Sequence, residues 1–294
     1  MAQSRKPVDM LERQVNHKTL NLSGRLLDLS TPAVMGILNI TPDSFYEGSR
    51  FDPNSDHFVQ EAGQMLTDGA KILDVGGYST RPGAAEISVD EECERILPVI
   101  EVLSRTFPAV VISIDTFRSA VAKQAVRAGA SIVNDVSGGN LDEQMFETAA
   151  ELGVPYVLMH MRGTPQTMTQ LNQYDNLVQD IMRELAEKLQ RLRSLGVADV
   201  IVDPGFGFAK NVPQNFELLN HLEHLKSLNA PLLVGVSRKS MIWRSLGVTP
   251  TKVLNGTTVL NTLALQKGAD ILRVHDVREA VEAVKLWQYT TQRS

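Results

Sequence analysis

The sequence predicts an α/β fold in which eight parallel strands close into a (β/α)8 barrel of the TIM type, preceded by a short N-terminal hairpin. Short apolar runs alternate with segments of helical period along most of the chain, which is typical of parallel sheets. Polar residues end the apolar runs, as they do at the carboxyl face of a barrel. An open doubly wound sheet is the alternative, but the glycine-rich turn that normally follows its first strand is missing.

Two elements are predicted near the start of the chain. Apolar and polar residues alternate over 20–29 around a Ser-Gly pair, which predicts a small hairpin that closes the bottom of the barrel. Residues 34–38 form a short apolar run, and the turn-forming residues 41–44 follow closely, which indicates a buried strand. Asn39 therefore lies at the carboxyl end of that strand.

The rest of the chain supplies seven further strands and eight crossover helices. The strands are predicted at 71–75, 110–115, 131–135, 156–160, 200–203, 232–236 and 271–275. The helices are predicted at 55–66, 89–103, 119–128, 141–152, 177–195, 216–228, 255–266 and 279–289. Five glycines stand between a helix and the next strand, where a left-handed cap is expected. They are Gly69, Gly129, Gly153, Gly196 and Gly268.

The composition is that of an ordinary globular protein with a large core, because 43% of its residues are hydrophobic and 21% are charged. A net charge of -5 without a Lys/Arg run argues against a nucleic-acid-binding protein. No stretch is apolar enough for a membrane span or a secretory signal. Cys93, the single cysteine, has helical spacing to Ile96 and Ile100, so we interpret it as a core thiol in a reducing cytoplasm. We expect residues 1–17 to be a frayed tail and 18–294 to form one domain.

A polar residue stands at the exit of every predicted strand. Because the carboxyl ends of barrel strands meet at one face, where active sites lie, we expect these side chains to surround one ligand. The exit residues are Asn39, Asp74, Asp115, Asn134, Asp135, His160, Asp203, Arg238, Lys239, Arg273 and His275.

The mixture of side chains indicates a ligand with two chemical ends. Asp115, Asn134 and Asp203 suit a heterocycle edge that is rich in N–H groups, such as a pterin-like ring. Arg81 and Arg273 suit phosphate oxygens, because a guanidinium fork binds them bidentately. His160 is interpreted as a hydrogen-bonded residue of the rim without a catalytic role.

Seven segments of the chain resemble dihydropteroate synthases, and they occur in that family's order between about residues 34 and 276. They are 37–45, 74–83, 113–116, 134–139, 203–208, 237–240 and 273–276, with the sequences ILNITPDSF, DVGGYSTRPG, SIDT, NDVSGG, DPGFGF, SRKS and RVHD. The resemblance implies the same barrel and a transferase of folate synthesis. That enzyme joins p-aminobenzoate to 6-hydroxymethyl-7,8-dihydropterin diphosphate and releases 7,8-dihydropteroate and diphosphate. Tyr78 departs from the family, many of whose members carry Glu there, and this bears on local loop packing.

The resemblance also assigns roles to the residues at matching positions. Those implied to hold the pterin are Asp115, Asn134, Met159, Asp203 and Lys239. Those implied to hold the diphosphate are Asn39, Thr80, Arg81, Arg273 and His275, with Mg²⁺ bound through Asn39. Those implied to form the p-aminobenzoate pocket are Phe45, Thr80, Pro82, Phe208, Lys239 and Ser240. The catalytic residues implied are Asp115, Asn134, Asp203, Lys239, Arg273 and His275.

By resemblance the protein is also expected to be a homodimer and a sulfonamide target. Its composition and charge predict a cytoplasmic protein without a nucleic-acid or membrane partner. Two rival functions stay open. The first is a methyltransferase that moves a one-carbon unit from a reduced folate to a cobalamin protein, which would not need the phosphate-binding residues. The second is a barrel that binds a pterin without catalysis, against which the intact Lys239 and the two long loops argue.

Overall fold

The computed structural model describes residues 19–40, 57–79 and 86–291 of the chain. Outside the described residues lie the predicted tail and four predicted site residues, Phe45, Thr80, Arg81 and Pro82.

Eight parallel strands form the barrel, which confirms the predicted fold. They are β3 (Ala33–Asn39), β4 (Ile72–Gly76), β5 (Ile112–Asp115), β6 (Ile132–Asp135), β7 (Tyr156–Met159), β8 (Val200–Asp203), β9 (Leu233–Val234) and β10 (Ile271–Val274). Their spatial order is β8-β7-β6-β5-β4-β3-β10-β9. The two ends of this sheet meet where Val202 forms a parallel bridge with Leu232 and donates its N–H to the Pro231 carbonyl at 2.8 Å, so the ring closes.

The N-terminal hairpin closes the amino-terminal end of the barrel, as predicted. Its strands are β1 (Thr19–Leu22) and β2 (Arg25–Asp28), which pair antiparallel. Leu20 and Leu22 are buried against side chains from the strand starts, including Met35, Ile72 and Ile271. These inner residues alternate with outward residues that pack beneath the helices, so the barrel interior is a filled core and not a channel.

Helices cover the outside of the barrel. Among the described residues they are α1 (His57–Asp68), α2 (Val89–Thr106), α3 (Ser119–Ala128), α4 (Met145–Leu152), α5 (Leu177–Ser194), α6 (Val212–Asn220), α7 (Ser240–Leu246), α8 (Leu254–Gln266) and α9 (Val277–Thr291). All five predicted cap glycines have positive φ, which confirms their role. Within the three described ranges, no helix combines the length and the apolarity that crossing a bilayer requires.

The predicted helix at 141–152 begins only at Met145. The carboxylate of Asp142 accepts hydrogen bonds from the backbone N–H groups of Ser119 and Gln144, at 2.7 and 2.9 Å. Asp142 therefore satisfies backbone donors at the starts of two neighbouring helices, which a non-helical position allows.

The predicted helix at 216–228 is wrong at both ends. Helix α6 begins earlier, where Asn211 and Gln214 form a reciprocal capping box with hydrogen bonds of 2.9 Å in each direction. The second half of the predicted helix is instead a 3-10 segment, Leu222–Leu228. The sequence also does not predict α7, whose seven residues are too few to show a helical period.

Candidate active site

Polar side chains occupy the inner layer of the barrel immediately above its apolar core. Side chains on a strand alternate in direction, so residues two positions apart point the same way. Asp74 follows the inward Ile72 by two positions, and Arg273 follows the inward Ile271 in the same manner. The same step places Asn134, Asp203 and Met159 at the carboxyl end of the interior, where they face a common mouth.

An arginine and two aspartates form the centre of this layer. Arg273 donates from Nε to Asp74 Oδ2 at 2.6 Å and from Nη2 to Asp115 Oδ2 at 2.5 Å. Asn134 Nδ2 donates to the same Asp74 oxygen at 3.0 Å. Strands β4, β5, β6 and β10 are therefore tied together at the mouth by one hydrogen-bonded cluster.

The electrostatics of the cluster follow from its burial. Burial raises the pKa of Asp115 to about 7, with the Asp74 charge adding to the shift and Arg273 opposing it. Although burial alone would lower it, Asp74 and Asp115 hold the pKa of Arg273 above its ordinary value. The arginine therefore stays charged, while Asp115 lies close to its titration point near neutral pH.

Two further charged residues, Asp203 and Lys239, lie at the same mouth. Asp203 is buried, and its Oδ1 accepts the backbone N–H of Gly205 at 2.7 Å. Lys239 Nζ donates to the Phe206 carbonyl and lies 5.1 Å from the centre of the Phe208 ring. Burial lowers the pKa of Lys239 to about 8, and the Asp203 charge opposes that shift.

One wall of the mouth is apolar. Met159, Met161, Met168 and Val136 pack together with Ala209 in a cluster separate from the main core. Phe208 lies against this cluster, as does Leu141. A flat ring can therefore contact sulfur and methyl groups on its face while its edge meets the buried carboxylates.

The remaining predicted residues lie around the same rim. Ser237 Oγ accepts the His275 backbone N–H at 3.2 Å and lies within hydrogen-bond distance of the His275 Nδ1, at 3.0 Å. Asn39 is exposed at the end of β3. Ser240 begins α7 directly after Lys239. The structure thus brings every described predicted residue to one end of the barrel.

Arg273 and Asp135 lie in surroundings that their strand positions alone do not indicate. Arg273, assigned by resemblance to the diphosphate group, contacts two carboxylates at the edge of the proposed pterin pocket. Asp135 is fully buried and accepts bonds from the Ser137 and Gly139 N–H groups and from the Tyr156 hydroxyl, at 2.6 to 2.7 Å. Asp135 therefore supports the loop after β6 and does not face the mouth as a ligand.

Sequence reasoning missed several polar residues behind the mouth. His160 is hydrogen-bonded, as predicted, but its partners Glu184 and Lys210 had no assigned role. The sequence predicts that Asp74 ends a strand, but it does not indicate that Arg273 is its partner. The two-residue step from Ile72 could have placed Asp74 inside the barrel, whereas Glu184 lies on the face of a helix whose pairing the sequence does not show.

Comparison with known proteins gives one consistent family. The sequence pattern of the pterin binding enzyme family matches residues 35–275. The chain is 46% identical over 270 residues to the dihydropteroate synthase of Escherichia coli K12, covering 91% of this chain and 94% of that one. It is 44% identical to the Bacillus subtilis dihydropteroate synthase over 255 residues, 86% of each chain.

Solved structures agree. A Yersinia pestis dihydropteroate synthase in complex with a sulfonamide drug superposes with a TM-score of 0.87 at 44% identity, covering 93% of this chain and 99% of that one. A Xanthomonas albilineans dihydropteroate synthase in complex with 7,8-dihydropteroate gives a TM-score of 0.84 at 37% identity, covering 94% and 100% of the two chains.

Proposed function

The chain belongs to the dihydropteroate synthase family of pterin-binding enzymes, and on this basis we propose how its barrel carries out the reaction. The protein is a transferase of folate biosynthesis that condenses 6-hydroxymethyl-7,8-dihydropterin diphosphate with p-aminobenzoate. The products are 7,8-dihydropteroate and diphosphate. The observation that supports the proposed site best is the convergence of Asp115, Asp203, Lys239 and Arg273 on one mouth beside an apolar wall.

The pterin is held by its edge and its face. The carboxylates of Asp115 and Asp203 accept hydrogen bonds from its ring and amino N–H groups, and Asn134 can both donate and accept. Met159 packs against the ring. Lys239 donates to a ring acceptor and balances the buried charge of Asp203. These residues fix the exocyclic methylene group of the pterin at the centre of the mouth.

The bond that breaks joins this methylene carbon to the diphosphate oxygen, and the electron pair leaves with the oxygen. The electron-rich pterin spreads the positive charge that develops on carbon. Arg273, His275 and Asn39, together with Thr80 and Arg81, stabilise the negative charge that develops on the diphosphate. This step requires no general base from the protein.

The amine of p-aminobenzoate uses its nitrogen lone pair to form the new bond to carbon, and the ammonium that results gives up one proton to water. An aromatic amine is neutral near pH 7, so it needs no activation. Phe208, Lys239 and Ser240 form the part of its pocket that the structure describes, and Phe45, Thr80 and Pro82 are proposed to complete it. Sulfonamides, which mimic this substrate, are accordingly proposed to compete for the same pocket.

Magnesium fits this arrangement as an ion that the protein and the substrate would hold together. Asn39 offers one uncharged oxygen at an exposed position of the mouth, and Mg²⁺ is commonly held by one or two protein oxygens together with phosphate oxygens and water. When bound, the ion neutralises charge on the leaving diphosphate.

We propose that the protein is cytoplasmic and that residues 18–294 form one pterin-binding domain.

The test of this function is direct. Purified protein mixed with pterin diphosphate, p-aminobenzoate and Mg²⁺ is expected to form dihydropteroate and diphosphate in equal amounts. Chelation of the metal by EDTA should suppress the product, and added Mg²⁺ should restore it. A methyltransferase would release no diphosphate. A non-catalytic barrel would bind pterin diphosphate in calorimetry and form no product.

We also propose that the protein is a homodimer formed through α8 and α9. Val259 and Leu263 lie one helical turn apart on α8 and are exposed, as are Leu286 and Tyr289 on α9, which packs beside it. Four large apolar side chains in one region are typical of a protein interface.

Replacing Leu263 by Glu is therefore expected to convert the dimer to a monomer, because a carboxylate is costly to bury at an apolar contact. Light scattering after gel filtration would measure the change. The same substitution at Leu26, an exposed leucine of the hairpin, serves as the control and should leave the mass at twice that of the chain. A wild-type protein with the mass of one chain would refute the dimer.

A further inference from the structure

Two side chains restrain the loop between β8 and α6 through hydrogen bonds to its backbone carbonyl oxygens. Lys210 Nζ donates to the carbonyls of Gly205 and Phe208, both at 2.9 Å, and to His160 Nδ1 at 3.1 Å. The Tyr174 hydroxyl donates to the carbonyl of Ala209 at 2.9 Å. Three carbonyls within five residues are therefore restrained by two side chains that do not face the mouth.

The three acceptors around Lys210 match the three hydrogens of an ammonium group. Burial lowers the pKa of Lys210 to about 7, with Asp203 opposing the shift. Although burial alone would raise it, hydrogen bonds from His160 and Arg162 lower the pKa of Glu184 to about 2, so this carboxylate can only accept. The histidine proton therefore lies on Nε2, and Nδ1 accepts from Lys210. That proton is donated to Glu184 Oε2 at 3.0 Å. Burial lowers the pKa of His160 to about 4, so the ring is neutral, as this arrangement needs.

The same network fixes Tyr174. Glu184 also accepts from Arg162, whose Nε lies 3.1 Å from Oε1. The Arg162 guanidinium stacks 4.0 Å from the centre of the Tyr174 ring and donates to the Gln173 carbonyl at 2.5 Å. Burial raises the pKa of Tyr174 to about 12, so its hydroxyl remains a donor. Lys210 and Tyr174 are thus linked through one ion-pair network that connects β7, α5 and the loop.

The loop needs such support because of its backbone conformation. Gly205, Gly207 and Ala209 have φ values of 69, 80 and 49°, and the left-handed conformation is unfavourable for alanine. A Cβ at Gly207 would lie 3.2 Å from Lys239 Cδ, so the loop passes close to that lysine. The front of the loop presents the Phe206 carbonyl to Lys239 and the Phe208 ring to the p-aminobenzoate side of the mouth.

We propose that Lys210 and Tyr174 are positioning residues that set the Phe208 wall of the p-aminobenzoate pocket. The inference rests on the proposed function and extends it to residues that touch neither substrate. A displaced wall weakens contacts with the ring of p-aminobenzoate, which are made equally before and during bond formation. The expected effect is therefore on KM for that substrate more than on kcat.

Steady-state kinetics of Lys210→Met tests the proposal. KM for p-aminobenzoate should rise at least tenfold while kcat falls less than threefold, and pterin diphosphate binding by calorimetry should stay within twofold of wild type. Lys210→Arg, which keeps a charged donor, should recover part of the loss. Tyr174→Phe removes only the bond to Ala209 and keeps the Arg162 stacking, so it should fold and raise the same KM about threefold.

The matched control is Lys188→Met. Lys188 Nζ donates to the Gly138 carbonyl at 2.8 Å and to Asn140 Oδ1 at 2.7 Å, so it supports the loop after β6 in the same way. Its KM for p-aminobenzoate should stay within twofold of wild type. An equal rise in this control, or unchanged KM values in both Lys210→Met and Tyr174→Phe, would overturn the proposal. Should Lys210→Met fail to fold, Tyr174→Phe alone decides. A wild-type enzyme that forms no dihydropteroate would instead overturn the proposed function.

Discussion

Replacing Asp115 by Asn is expected to lower kcat/KM for pterin diphosphate by about 100-fold. A hydrogen bond to a charged group contributes up to about 3 kcal/mol, which corresponds to a factor of roughly 100 in rate or binding. The carboxylate has one oxygen engaged by Arg273, and an amide in its place turns an N–H donor toward either the arginine or the pterin. Both possible orientations of the amide therefore place one donor against another.

Pterin binding by calorimetry and initial rates at saturating p-aminobenzoate would measure this loss. Asp270→Asn is the matched control, because Asp270 is a buried aspartate at the opposite end of the barrel that accepts the Leu232 N–H at 2.8 Å. It should leave KM for the pterin within twofold of wild type. Near-wild-type kinetics of Asp115→Asn would remove this residue from the proposed pterin pocket.

Wild type, unlike the Asp115→Asn variant, should show opposite effects of pH on stability and on activity. The pKa of Asp115 is raised to about 7 in the folded protein, above its value of about 4 in an unfolded chain. Its contribution to stability is therefore complete below about pH 4 and is lost as the pH rises to about 7. Asn does not titrate, so wild type should lose stability relative to Asp115→Asn over this interval. Activity of wild type alone should rise as the pH passes through about 7, because the carboxylate is the form proposed to bind the pterin.

The sequence predicts the barrel well because each of its strands shows a local pattern. A short apolar run followed by a polar residue and a turn is visible without knowledge of what packs against it. The helix boundaries were less predictable where a side chain can cap either its own helix or a neighbouring one. Asp142 could have started a helix but instead caps Ser119 of a neighbouring helix, and the capping box at Asn211 could not be located from the apolar pattern.

The candidate site likewise contains features that the sequence predicts and features that it does not. The convergence of Asp115, Asp203 and Lys239 follows from strand ends meeting at one face of a barrel, so topology alone predicts it. Predicting that Arg273 pairs with Asp74 would require knowledge of how their strands are aligned in the barrel, because the two residues are 199 positions apart in the chain. Predicting the Lys210 network would require knowledge of a helix face, a loop conformation and a histidine tautomer, and a single sequence shows none of these.

Replacing Arg273 by Met should have the largest combined effect on stability and activity. The arginine neutralises two carboxylates, and the Asp74 side chain is fully buried. Removing one partner of a buried ion pair costs about 3 to 5 kcal/mol, because a charge is left uncompensated. A loss of 3 kcal/mol corresponds to a fall in Tm of roughly 6 to 12 °C. Calorimetry would measure this fall, and the rate of dihydropteroate formation should drop by more than about 100-fold, since ~3 kcal/mol corresponds to that factor.

Arg278→Met is the matched control, because Arg278 forms an exposed pair with Glu282 at 3.1 Å and should cost less than about 1 kcal/mol. The double variant Arg273→Met with Asp74→Asn separates stability from chemistry. It removes the uncompensated buried charge while the amide oxygen can still accept from Asn134, so it should recover most of the lost Tm. Its activity should stay low, because the cation proposed to stabilise the departing diphosphate is still missing. Recovery of activity together with stability would mean that Arg273 only balances Asp74 and takes no part in the reaction.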